Sequence, residues 1–96
     1  MRAHSALQHL VRQLAEQPHV RRVWLFGSRA RGDARQRSDI DLAIEAPAAT
    51  RREWLDMCRL VEEADTLLPI DVVRLEEASR PLRASIQKEG RVLFER

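Results

Sequence analysis

A chain of 96 residues supports one domain with a modest apolar core, and residues 1–96 read as a single unit. Its 17 basic residues are all arginine except Lys88, yet 15 acidic residues leave a net charge of only +2, too small to argue for non-specific nucleic-acid binding. The lone cysteine, Cys58, cannot form an internal disulfide. The three histidines, at 4, 9 and 19, lack the companions of a zinc site. No apolar run reaches bilayer length and no secretion signal opens the chain, so no membrane association and a cytoplasmic location are predicted.

Leu7, Leu10, Val11 and Leu14 recur at helical spacing and predict an amphipathic helix. Ser5 to Gln8 fits a capping box at its start, and Pro18 closes it. His4, His9 and His19 fall on or beside this helix and read as surface residues. A strand follows over 20–26. Its run Val23-Trp24-Leu25-Phe26 predicts burial on both faces, as in a sheet covered by helices. Gly27 breaks it, and Ser28 can cap a short helix over 29–32. Residues 33–38 are polar and read as a loop in which Arg35 and Arg37 add positive potential.

The second strand is predicted over 39–45. Alternation places Ile40, Leu42 and Ile44 on one face and Asp39, Asp41, Ala43 and Glu45 on the other. Thr50 to Glu53 is a second capping box. The helix it opens carries Trp54, Met57, Cys58, Val61, Ala64 and Leu68 along one side, and Pro69 ends it. Cys58 and Trp54 there read as core residues. Residues 70–75 form a third strand with Asp71 near its start. Ser79 and Pro81 open a last helix presenting Leu82 and Ile86, Gly90 suits its C-terminal cap, and 91–94 can form a short final strand. The order αβαβαβα predicts a small α/β domain with a sheet flanked by helices.

Two aspartates one residue apart in an apolar strand serve no ordinary need of folding, because a buried carboxylate is costly without a cation or partner. Side chains two apart on a strand project from one face, about 6–7 Å apart. Asp39 and Asp41 therefore suit a hard cation such as Mg²⁺, which takes one or two carboxylates plus substrate phosphates. Asp71 reaches the same place if the third strand lies beside the second, and three carboxylates can hold two metal ions. The alternative is a structural network with nearby arginines. Asp33, Glu45, Glu76 and Glu77 read as solvated. Gly27 permits a tight turn and close backbone approach. Helix amides and the Ser28 hydroxyl can accept a phosphate, and Arg29 and Arg31 can hold further phosphate charge.

Gly27-Ser28-Arg29-Ala30-Arg31-Gly32, then Ser38-Asp39-Ile40-Asp41-Leu42, with Asp71 in a later strand, resembles the signature of the DNA polymerase β-type nucleotidyltransferase superfamily, and within it the minimal nucleotidyltransferases. The resemblance implies a mixed sheet flanked by helices, two Mg²⁺ ions, ATP as donor, and nucleotidyl transfer with release of pyrophosphate. It implies that Asp39 and Asp41 are metal ligands, that Asp71 is the third ligand or the base near the acceptor, and that Gly27 and Ser28 grip the triphosphate. Many such proteins are antitoxins that adenylylate a tyrosine of a HEPN-domain toxin, so ATP and a HEPN-type partner are expected. The chain contains no tyrosine of its own. Neutralisation of the toxin by binding alone, or transfer to a small hydroxyl compound, are the alternatives.

Overall fold

The computed structural model describes residues 2–32 and 39–96, the first three of these by backbone only. Asp33, Arg35, Arg37, Ser38 and the His4 side chain lie outside the described residues. Eight principal elements follow in order: α1 (Arg2–Ala15), β1 (Arg22–Phe26), α2 (Ser28–Arg31), β2 (Ile40–Glu45), α3 (Arg51–Glu63), β3 (Ile70–Arg74), α4 (Arg80–Glu89) and β4 (Arg91–Glu95). A short 3-10 turn, Leu75–Glu77, joins β3 to α4. The strands form one mixed sheet in the order β3-β2-β1-β4. β1 is antiparallel to β2 and β4, and β2 is parallel to β3.

The sheet separates two apolar layers. On one face Val23, Leu25, Ile40, Leu42 and Ile44 are buried against Leu10 and Leu14 of α1 and Met57 and Val61 of α3. On the other, Ala43 joins Leu75 and Ile86, with Trp24, Phe26, Val73 and Leu82 packed around them. Of the burial expected on both faces of β1, Val23 and Leu25 are buried and Trp24 and Phe26 half-buried, with α4 supplying the second cover.

Several boundaries differ from the sequence reading. α1 begins at Arg2, so Ser5 lies inside it rather than at its cap. Nothing in Arg2 to His4 breaks a helix, and the apolar stripe sets the extent. α1 ends at Ala15, short of Pro18, where the Arg96 guanidinium donates to the carbonyls of Ala15, Gln17, Pro18 and Val20. α3 ends at Glu63, not at Pro69, although Leu68 still packs on the core. Gly90 ends α4 with φ −72° rather than in the left-handed region. Its lack of a side chain instead leaves room for the Trp24 ring and the Ile86 carbonyl. Two caps match the reading. Thr50 and Glu53 form a reciprocal box at α3, and the Ser79 side chain accepts from the Leu82 amide at α4.

A polar latch holds β3 beside β2. Arg74 donates to the carbonyls of Ala46 and Ala49, both at 2.8 Å, pairs with Glu76 and lies over the Trp54 ring at 5.9 Å. Glu76 accepts from the Ala46 amide at 3.1 Å. It is therefore half-buried and engaged, not a solvated loop carboxylate as its position in the sequence implied. Arg74→Met should cost about 2 kcal/mol, the order expected for charged hydrogen bonds lost with their acceptors left half-buried. Urea denaturation checks this, and a change below a few tenths of a kcal/mol would show that the latch does not matter.

Candidate active site

The site forms where β1 ends and β2 and β3 begin. In the sheet register, Asp41 lies opposite Phe26 of β1 on one side and opposite Asp71 of β3 on the other. The placement of β3 beside β2, on which the three-carboxylate reading depended, is thus present. The Ile40 amide donates to the Pro69 carbonyl at 2.9 Å and ties the two strand starts together. Asp39 stands just outside β2, which begins at Ile40 rather than at Asp39. Asp39 and Asp71 are exposed and Asp41 is half-buried.

Burial raises the Asp41 carboxyl above its ordinary value of 3.8, and the charges of Asp71 and Asp39 raise it further. All three aspartates therefore share one electrostatic environment. Among the described residues no ion pair joins an arginine to any of them. Glu45, expected to be solvated, pairs instead with Arg22 at 3.1 Å. Arg22 also reaches Glu95 at 2.8 Å.

Gly27 is bound to this geometry. Its backbone, φ 74° and ψ −154°, lies in a region open essentially to glycine alone. A Cβ there would collide with the Asp41 Oδ2. The β1–α2 turn thus passes directly over the Asp41 carboxylate. Gly27 itself occupies the cap position of α2, Ser28 is the first helical residue, and no side chain caps this helix. That corrects the expected capping role of Ser28 but leaves Ser28 half-buried beside Gly27. Ala30 anchors α2 on the core. Arg29 is half-buried and Arg31 exposed.

Among the described residues no three carboxylate, thiol or imidazole side chains converge as a ready-made cation cage. Mg²⁺ takes one or two carboxylates and completes its shell with substrate phosphates and water. The oxygen-only donor set of Asp39, Asp41 and Asp71 fits that ion. Cys58 does not contribute: burial, then the charges of Glu62 and Glu77, push its thiol up, so it is not a thiolate nucleophile. His9 is exposed, and His19 bonds the Glu53 carboxylate at 2.9 Å. The sequence reading missed Arg74 and Glu76. The sole signal was an arginine closing a strand whose preceding residues are apolar, Val-Val-Arg.

The polymerase beta, nucleotidyltransferase family model matches residues 8–96. The chain belongs to this family. Solved structures share the fold. A toxin–antitoxin structure with AMP-PNP is 26% identical, with TM-score 0.68, covering 96% of this chain and 73% of that one. A structure of a tri-AMPylated Shewanella oneidensis HEPN toxin in complex with its MNT antitoxin is 22% identical, with TM-score 0.67, covering 98% and 73%. The toxin–antitoxin pair MntA–HpeT, in a variant with two Asp-to-Glu substitutions, is 22% identical, with TM-score 0.69, covering 92% and 71%. No curated protein sequence matches the chain. No helix of the described residues is long and apolar enough to cross a membrane.

Two predictions test this nucleotidyltransferase site. Gly27→Ala should lower Tm by several degrees, about 1–3 kcal/mol for the backbone region alone. The double variant Gly27→Ala/Asp41→Ala should recover the part due to collision but not the part due to φ. Equal Tm losses in the Gly27→Ala change with and without Asp41 would refute the contact. The second concerns pH. A carboxyl whose folded pKa is raised stabilises below its unfolded value and loses that contribution as pH rises through the folded one. Asp41→Asn should therefore be more stable than the parent in metal-free buffer, with a gap that opens above about pH 4 and is complete by neutrality. Denaturation series from pH 3.5 to 7.5 measure it, and a gap independent of pH would contradict the cause.

Proposed function

We propose that this chain transfers an adenylyl group from ATP to a hydroxyl of a HEPN-type toxin, most simply a tyrosine, and so acts as an antitoxin. The observation that carries the reading is the set of Asp39, Asp41 and Asp71 beside the Gly27 turn on adjoining strand ends. The similar toxin–antitoxin structure with AMP-PNP and the tri-AMPylated HEPN toxin complex support the donor and the acceptor class. The site sits on an open strand end, so a partner protein can bring the acceptor to it. Such a pair would work in the cytoplasm.

Asp39 and Asp41 would hold Mg²⁺, with Asp71 as a third carboxylate. When bound, two Mg²⁺ ions supply positive charge that activates the acceptor oxygen and neutralises the departing phosphates. Gly27, by lacking a side chain, lets the triphosphate approach the backbone amides of the turn. Ser28 offers a hydroxyl to a phosphate oxygen, and Arg29 and Arg31 add positive charge on the same side. The acceptor oxygen bonds to the α-phosphorus, the bond between that phosphorus and the bridging oxygen to the β-phosphate breaks, and pyrophosphate leaves. Asp71, where it does not serve as ligand, would take the acceptor's proton. Two roles for one carboxylate are distinguishable, since a base contributes a pH dependence and a ligand a metal dependence.

One observation favours a second reading, neutralisation by contact alone. MntA–HpeT was crystallised as a pair despite two Asp-to-Glu substitutions, spaced as Asp39 and Asp41 are. Both readings are tested by incubating the chain with α-labelled ATP, Mg²⁺ and the HEPN-type product of the neighbouring gene. Label is expected on the partner, and Asp39→Ala/Asp41→Ala should reduce its rate by about a hundredfold or more. Transfer that survives the double change sinks the enzymatic reading. Full protection of cells by the double variant, with no labelling by the parent, favours contact alone.

A further inference from the structure

β3 forms one edge of the sheet, and among the described residues no strand lies on its outer side. Two open grooves run along it and share Val72. The larger, about 540 Å³, lies between the end of α3 and the start of β3 and is lined by Cys58, Val61, Leu67, Leu68, Ile70 and Val72 among others. Leu67 is 84% exposed, an apolar side chain left in water at the mouth of an apolar groove. The other sheet edge differs, because Arg96 at the end of β4 is tied to α1 and the loop after it.

The rim of the groove is acidic. Glu62 lines it, and Glu63 and Asp65 follow, all exposed. The last turn of α3 contains no basic residue. That turn is the negative end of the helix dipole, where carboxylates are unfavourable and a cation is favoured. A cation from outside the chain would relieve it.

We propose that this groove is the docking surface for the protein that carries the acceptor hydroxyl, and that the docking face presents apolar side chains ringed by lysine or arginine. The proposal rests on the reading of adenylyl transfer to a protein. Charge selects the occupant. A second copy placed symmetrically would bring its own carboxylate rim against this one, and a nucleic acid would meet the same repulsion. The position also fits. Ile70 and Val72 line the groove on either side of Asp71 in sequence, and Asp71 points to the opposite face of the same strand. A body seated there rests on the strand that carries Asp71.

The test compares the parent with Leu67→Glu, with Glu62→Lys/Glu63→Lys and with Asp41→Asn. Each is titrated calorimetrically with the HEPN-type product of the neighbouring gene, with a fluorescent ATP analogue as a separate probe of the nucleotide site. The two rim and groove variants should bind the partner at least tenfold more weakly while binding the analogue as the parent does. Asp41→Asn should bind the partner within about twofold of the parent. Parent-like partner binding by both surface variants overturns the proposal, as does a parent that does not bind. A parent that binds but transfers no adenylyl group defeats the enzymatic reading alone, and the two surface variants still decide the docking site.

Discussion

Asp41 faces Asp71 across a hydrogen-bonded strand pair, and the rest of the structure depends on keeping that adjacency of like charges in place. Nothing local favours it. Burial and both neighbouring charges raise the Asp41 carboxyl, so the charged form is held against an electrostatic cost. The opposing forces come from the far side of the same strands. Ile40, Leu42 and Ile44, one residue out of phase with the aspartate, are buried in the main core. A slip of one residue would turn those side chains to the wrong face. Register is therefore fixed by apolar burial, and the carboxylates are carried along with it. A site that costs stability on one face while the core secures the other is a familiar arrangement in enzymes.

The second layer divides the polar face. α4, with Ile86 and Leu82, covers Ala43 and leans on Trp24 and Phe26. It leaves Asp41 half-buried and Asp39 and Asp71 exposed. One strand thus serves packing at its middle and carries the candidate site at its start. Arg74 and Glu76 close the remaining gap by pinning the β2–α3 connection to the end of β3. Arginine suits that position because its planar fork serves two carbonyls and a carboxylate at once while its face lies over Trp54. Gly27 completes the arrangement, since any side chain there would occupy the space of the Asp41 carboxylate.

Much of this was legible in the chain, for definable reasons. Alternation in Ile40 to Ile44, the capping box at Thr50 and Glu53, and the Ser79 cap are local patterns whose physics acts within a few residues. Helix ends were less legible. α1 runs back past Ser5, and α3 stops well before Pro69, because packing, not the nearest cap or breaker, sets where a helix stops. Glu45 and Glu76 read as solvated because each sits near a loop in the sequence. Their partners, Arg22 and Arg74, are 23 and 2 residues away, and only the sheet brings the first pair together.

By itself the sequence singled out the candidate site residues. Asp39, Asp41 and Asp71 stand out because carboxylates beside apolar strand residues are costly, and Gly27 because a sharp turn follows an apolar run. It also determined which face of β2 each side chain occupies, since strand alternation is covalent geometry. Only the tertiary structure decided that β3 lies parallel beside β2 with Asp71 level with Asp41. It also decided that Gly27 sits over that same carboxylate and that the outer edge of β3 remains open. Strand order is a contest among long-range pairings, settled by burial across the whole sheet, and no local pattern encodes its outcome.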